Sequence, residues 1–163
     1  MDSVHETGLP FAALRAAFPE QQTLTMLHIG AESTLVGAGA ANALLELAIG
    51  TRITAAAHFR HNPPNGVEIE EAIQTVEDAL FPVRAKLAAG SILITSDEGI
   101  NRIADLAGLA KATSRVLTRE AVERLFGRMA AVAEGRPLAG SGLPDQPDFY
   151  PRLLILREFL HHQ

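Results

Sequence analysis

Cysteine and tryptophan are both missing from this 163-residue sequence, and tyrosine occurs once. Without cysteine the chain has no disulfide, no zinc–thiolate site and no thiol nucleophile, and this composition is compatible with a reducing cytoplasm. No apolar run is long enough to span a bilayer, and the N-terminus lacks a basic segment followed by a long apolar core. We therefore expect no membrane partner and predict a cytoplasmic location.

Basic residues are few, because 14 Lys and Arg stand against 19 Asp and Glu, which gives a formal net charge of −5. Nucleic acids and anionic membranes require a cationic patch, so we expect neither as a partner. With 47% hydrophobic residues the chain can bury one core. We predict a single α/β domain over residues 23–163, preceded by an N-terminal extension, residues 1–22, with a short helix at residues 10–18.

The stretch from Thr23 to Gly39, TLTMLHIGAESTLVGAG, predicts a β-hairpin because apolar residues alternate on both sides of a glycine-containing turn. The turn, Gly30 to Thr34, can offer backbone N–H groups and two hydroxyls to an anion. Its one acid, Glu32, opposes phosphate unless a cation lies between the two charges. The turn is the first candidate for an anion-binding site.

Apolar runs elsewhere predict more strands, and we expect a mixed five-stranded sheet with helices packed against it. Residues 60–66, RHNPPNG, break the chain between the strands and a long helix. The additional segments with strand character are Ala43–Gly50, Thr51–Phe59, Ser91–Thr95 and Ser114–Leu117.

Helix boundaries are indicated by capping residues. Asn65 and Glu68 predict a capping box before a helix whose apolar residues recur from Ile69 to Leu87, and Pro82 should bend or divide that helix. Ser96 or Asp97 is expected to cap a second helix and Thr118 a third, over residues 119–133. Pro151 suits the first turn of a last, leucine-rich helix, which follows an irregular segment at residues 135–151.

Taken in chain order, the hairpin, strands, proline break and helices resemble those of the exopolyphosphatase and guanosine-pentaphosphate phosphohydrolase (Ppx/GppA) family. Members of that family have the actin-like ATPase, or ribonuclease H-like, fold. The family's DIGGGSTE-type hairpin is similar to His28–Leu35, and its Gly-x-Arg corner to Gly50-Thr51-Arg52, with a shortened spacing. Its strand with a Gly-Gly-Thr turn is similar to Thr95–Gly99. The resemblance runs from about Leu24 to the end and implies one half of the fold, the C-terminal half of the family's core.

Two later family motifs are also approximated. Leu117-Thr118 lies where the family has a leucine-threonine helix start, and Gly142–Asp148 resembles its Gly-Leu-x-x-x-Arg-Ala-Asp segment, with Gln146 in place of the arginine.

The departures fall where the family has its chemistry. In the family hairpin an aspartate helps to hold Mg²⁺, glycines donate amides to phosphate and a closing glutamate supports the site; here these positions are His28, Ala31 with Glu32, and Leu35. Neutral imidazole is a poor Mg²⁺ ligand, and leucine can neither bind a metal nor move a proton. Residues 1–22 are too short to hold the other half of the fold, so we expect that one copy of this chain does not form the two-domain cleft.

The resemblance implies Gly30, Ser33, Thr34 and Arg52 as phosphate-binding residues, with polyphosphate or a nucleotide phosphate as the ligand. It also implies Mg²⁺ as the cofactor and Glu32 as a metal ligand or base, if catalysis survives. Three functions follow: a degenerate phosphate binder with weak or no hydrolysis, an active phosphohydrolase whose cleft is completed by a second subunit, or a non-catalytic interaction module. An unfilled half-fold should leave apolar surface exposed, and we predict a homodimer.

Other candidates for chemistry are weaker. His58 and His61 lie three residues apart, and His161 and His162 are adjacent, but no third metal ligand follows from spacing, so we expect surface or structural roles. Ser141 lies between two glycines without the flanking strand and helix of a nucleophile elbow.

Overall fold

Four strands form one mixed sheet in the computed structural model, which describes residues 11–18, 23–38, 43–87 and 90–162. The spatial order is β3-β2-β1-β4; β1 pairs antiparallel with β2, β2 antiparallel with β3, and β1 parallel with β4. The predicted hairpin is confirmed, with Ile29 opposite Thr34 at the turn. The strands are β1, Leu24–Ile29; β2, Thr34–Ala38; β3, Ala43–Leu47; and β4, Ile92–Ile94.

Helices precede, separate and follow the strands. The capping box of Asn65 and Glu68 is confirmed, and Pro82 divides the long helix, because a 3-10 helix replaces α-helix from Phe81. The helices are α1, residues 11–17; α2, Thr51–His58; α3, Gly66–Leu80; the 3-10 helix Phe81–Lys86; α4, Glu98–Leu106; α5, Arg119–Ala133; and α6, Phe149–His161. Within the described ranges, no helix combines the length and apolar character that crossing a bilayer requires.

The strand residues alternate between two apolar clusters. Leu27 and Ile29 of β1 belong to the main core, in which α6 is the central helix and contacts α2, α3, α4, α5 and β1. Leu24 and Met26 belong to a second cluster that Phe11 of α1 joins. The structure describes residues 11–17 of the predicted N-terminal helix, and this part packs on the sheet. Residues 1–10 lie outside the described residues.

The prediction of a strand at Thr51–Phe59 is wrong, since this segment is helix α2. Threonine and isoleucine favour strands, but three consecutive alanines at residues 55–57 favour helix. Thr51 and Thr54 are spaced three apart and both are buried, so one face of the helix packs inward. Gly50 ends the segment after β3 and stands at the N-cap.

The prediction of a strand at Ser114–Leu117 is also wrong, and within the described residues the sheet has four strands instead of the predicted five. Arg115 fixes this segment beside α4, donating hydrogen bonds to Asp105 Oδ1 at 2.6 Å and to the Asn101 carbonyl at 2.9 Å. The side-chain hydrogen bonds thus position the segment where a strand ladder was expected. The strand prediction at Ser91–Thr95 is confirmed in its centre, as β4.

Candidate functional site

The turn between β1 and β2 is closed by one backbone hydrogen bond, from the Gly30 N–H to the Ser33 carbonyl at 2.9 Å. A Cβ on Gly30 would lie 2.8 Å from the same carbonyl oxygen, so the tight turn requires glycine there. Among the described residues, the N–H groups of Ala31, Glu32 and Ser33 have no hydrogen-bond partner. Three adjacent donors are therefore available at the tip of the hairpin.

Helix α2 begins directly against this turn. The N–H of Thr51 donates to the Gly30 carbonyl at 2.9 Å, and the N–H of Arg52 donates to the Ala31 carbonyl at 2.8 Å. A Cβ on Gly50 would lie 2.6 Å from the Ala31 carbonyl oxygen, so only glycine permits this approach. The first N–H groups of α2 donate to carbonyl groups of the turn. They hold the shape of the turn and are not free to bind an anion.

Arg52 and Glu32 form an ion pair across the turn. Both side chains are exposed, at 61% for Arg52 and 72% for Glu32. An exposed pair of this kind contributes little to stability and is free to open. From the sequence, Glu32 is the acid that we expect to repel phosphate. In the structure its negative charge is compensated by the guanidinium of Arg52.

The other predicted phosphate residues are placed differently. Ser33 is partly exposed at the turn, whereas Thr34 is fully buried and its hydroxyl donates to the Ile49 carbonyl at 2.8 Å. The structure therefore brings Gly30, Glu32, Ser33 and Arg52 together at the exposed end of the hairpin. The Thr34 hydroxyl instead ties β2 to the segment that leads into α2. The phosphate roles of these residues stay predictions.

Asp97 is the buried acid beside the turn. Its Oδ2 accepts the Ile29 N–H at 2.8 Å, and its Oδ1 accepts the Gly99 N–H at 2.8 Å. The predicted N-cap role is confirmed. Sequence reasoning missed the bond to Ile29, which joins the start of α4 to the end of β1. His28 lies next to this carboxylate, with Nδ1 3.5 Å from Oδ2 of Asp97 and a side chain that is 45% exposed.

Arg152 is a second residue that sequence reasoning missed. It reaches from α6 over the first turn of α4, where a Cβ on Gly99 would overlap its guanidinium at 2.2 Å from Nε. Its Nη1 donates to Asp148 Oδ2 at 2.8 Å, while its Nε is buried without a hydrogen-bond partner in the described part of the chain. In the sequence, only Gly99 itself, five residues after the end of β4, indicates this close approach.

In the described arrangement, neither Glu32 nor Asp97 at this end of the sheet is free to hold Mg²⁺, and Mg²⁺ as the cofactor stays a prediction. That ion is held in octahedral geometry by one or two carboxylates together with several waters and phosphate oxygens. Glu32 is paired with Arg52, and both oxygens of Asp97 accept backbone N–H groups. The remaining neighbours are the imidazole of His28 and the guanidinium of Arg152, which are unsuitable as ligands. Elsewhere in the described ranges no three His, Asp or Glu side chains are grouped for a metal ion.

The other histidines take part in structural contacts. His61 Nδ1 lies 2.6 Å from Glu68 Oε1, and His58 Nε2 lies 2.8 Å from the Thr75 hydroxyl. Burial raises the pKa of Glu68, but the hydrogen bonds from His61 and Asn65 outweigh this effect and hold the pKa below its usual value. His161 contacts Glu123 between α5 and α6. The expected structural roles agree with these positions.

Comparison with known proteins gives similarity in structure only. No protein-family model matches the sequence, and no curated protein matches it. Among solved structures, the chain is similar to a PPX-GPPA enzyme of Aquifex aeolicus, with a TM-score of 0.74 at 18% identity. The type II variant of the Aquifex aeolicus Ppx/GppA phosphatase gives 0.72 at 16% identity, and an exopolyphosphatase-like protein gives 0.58 at 17%.

These alignments cover most of this chain and about half of the other structures. For the first Aquifex aeolicus structure, 93% of this chain aligns with 54% of that one. For the exopolyphosphatase-like protein, the shares are 85% and 49%. The chain therefore has the fold of about half of a Ppx/GppA protein, as the resemblance in sequence implied.

Proposed function

We propose that this chain is related to the exopolyphosphatases, corresponds to the C-terminal half of their core, and binds a phosphate group of polyphosphate or of a nucleotide with weak or no hydrolysis. The observation that carries the proposal is the composition of the turn. Three N–H groups without a partner in the described part of the chain, at residues 31–33, belong to the turn whose Glu32 pairs with the guanidinium of Arg52. Backbone N–H groups together with a bidentate cation provide the contacts that a phosphate oxygen needs.

The ion pair between Arg52 and Glu32 must open for phosphate to bind. Because both side chains are exposed, the exchange costs little. Arg52 gives up one carboxylate and gains a phosphate, which carries more charge and accepts two parallel hydrogen bonds. Glu32 then turns into solvent. Ser33 adds a hydroxyl donor at the same tip, and the rigid docking of α2 holds the turn in place.

We expect weak or absent hydrolysis because the buried acid at this end of the sheet is not free to act as a general base. A general base must be free to accept a proton from the attacking water. Asp97, the buried acid beside the turn, is engaged by the N–H groups of Ile29 and Gly99 and is not free to take that proton. The site is therefore better suited to holding a phosphate than to activating a nucleophile.

A second candidate is an active phosphohydrolase whose cleft is completed by a second copy of the chain in a homodimer. The observation that favours it is the coverage: this chain aligns with 54% of the first Aquifex aeolicus structure. In that assembly Glu32, released from Arg52, is the residue available as a base.

Calorimetric titration with polyphosphate, with released phosphate measured in the same sample, tests both candidates. We expect binding without release in the wild type. Arg52→Gln should weaken binding roughly tenfold, the value of one charged hydrogen-bonded contact. Arg60→Gln, which removes an exposed arginine without an ion pair in the described structure, is the matched control and should bind like the wild type.

Each other outcome has a defined meaning. If the wild type releases phosphate and Glu32→Gln does not, the protein is a hydrolase. Sedimentation analysis would then show a dimer. No heat and no release with the wild type would contradict phosphate binding and leave the interaction module.

A further inference from the structure

We propose a second anion site, separate from the turn, in a cavity at the C-terminal end of α5, where a compact polyanion such as inorganic diphosphate binds between Arg128 and Arg136. The cavity has a volume of about 360 Å³. Its lining contains two arginines and no acid: Arg128, Ala131, Val132, Arg136, Pro137, Ala139, Gly140 and Ser141.

The end of α5 brings the two arginines together. Arg128 shares a helix face with Ala131 and Val132, three and four residues further on. After the helix, Gly135 has a φ of +112°, which reverses the chain. The reversal is fixed by hydrogen bonds from the Gly135 N–H to the Val132 carbonyl and from the Arg136 N–H to the Ala131 carbonyl, both at 3.0 Å. This reversal brings Arg136 to the same cavity that Arg128 lines.

The opposite wall of the cavity is held by its own hydrogen bonds. The Ser141 hydroxyl donates to the Leu138 carbonyl at 2.6 Å and accepts the Leu143 N–H at 3.2 Å. The Ser141 N–H donates to the same Leu138 carbonyl at 3.1 Å. Leu143 is buried in the main core and anchors the loop. A wall that is already ordered loses little conformational entropy when a ligand binds.

The charges at this rim are uncompensated within the described residues. Arg115, Arg152 and Arg157 each pair with a carboxylate, whereas the guanidinium groups of Arg128 and Arg136 form no ion pair or hydrogen bond there. In a protein with a net charge of −5, a cavity with two free guanidinium groups and no acid attracts a small anion. Two planar, bidentate donors suit the oxygens of linked phosphates.

Calorimetric titration with sodium diphosphate at low salt tests the proposal. The titration is run on the wild type and on Arg52→Gln, so that binding at the turn is counted separately. We expect heat of binding to persist in Arg52→Gln. Adding Arg128→Gln or Arg136→Gln to that variant should weaken the affinity roughly tenfold each. Arg124→Gln is the matched control, because it removes an exposed arginine of the same helix that does not line the cavity.

Four results would overturn the proposal: no heat with the wild type, loss of all heat in Arg52→Gln alone, unchanged affinity in both cavity variants, or a loss of equal size in Arg124→Gln. Amide shifts in two-dimensional NMR provide an independent readout that does not depend on the variants. Diphosphate should shift the amides of Gly140 and Ser141, and shifts confined to residues 31–33 would also overturn it.

Discussion

Arg152 of α6 lies with its Nε atom 4.0 Å from Oδ1 of Asp97, the buried residue that caps α4. Because Asp97 also accepts the Ile29 N–H, one carboxylate joins the end of β1, the start of α4 and the side of α6. These contacts lie directly behind the turn that we propose as the phosphate site. We therefore expect Asp97 to act as a positioning residue for that site.

Replacement of Asp97 by alanine should destabilise the protein by about 3 kcal/mol, because it removes the cap of α4 and leaves the N–H of Ile29 buried without a partner. Thr118→Ala is the matched control. Thr118 also caps a helix but accepts only the Ala121 N–H, so about 1 kcal/mol is expected. Chemical denaturation followed by circular dichroism measures both values, and equal losses in the two variants would contradict the bridging role of Asp97.

Gly50→Ala should lower the free energy of unfolding by about 2 kcal/mol, since the new Cβ would lie 2.6 Å from the Ala31 carbonyl oxygen and the backbone must shift. Gly127→Ala is its counterpart. Gly127 lies inside α5 with nothing within 4 Å of an added Cβ, so alanine should stabilise by about 0.5–1 kcal/mol. If Gly50→Ala were neutral in thermal and denaturant unfolding, α2 would not be docked on the turn as described.

Local patterns in the sequence predicted the elements whose stability is local. The hairpin, the capping box at Asn65 and the helix after Thr118 follow from residues near one another, and all three are confirmed. For α2 the sequence pattern gives the wrong prediction, because the β-propensity of its threonines and isoleucine competes with the helix propensity of its alanines. The contact between Arg152 and Asp97 joins distant segments, and no pattern within one segment indicates it. The limits of the predicted domain, residues 23–163, and the cytoplasmic location stay predictions.

The stability of the protein should fall in acid partly through Glu68. The pKa of this buried carboxylate is held below its usual value of 4.5 by its hydrogen bonds to His61 and Asn65, despite the opposing effect of burial. A depressed pKa in the folded state adds stability that is complete above about pH 4.5 and is lost as the pH falls through the folded-state pKa.

Glu68→Gln should therefore be less stable than the wild type at pH 7, and the difference should shrink below pH 4.5. The measurement is the unfolding free energy from denaturant titrations between pH 7 and pH 3. Glu70→Gln, at an exposed position of the same helix, should follow the wild type throughout. A difference between Glu68→Gln and wild type that stays constant with pH would rule out this ionisation as its source.

Phosphate binding at the turn is the central claim, and an NMR titration with polyphosphate tests it most directly. We predict that the amide signals of Ala31, Glu32 and Ser33 shift saturably with ligand. In Arg52→Gln the same signals should require roughly tenfold more ligand, because a charged contact is lost. Saturable binding that leaves these three amides unmoved, or no binding at all, would contradict the account.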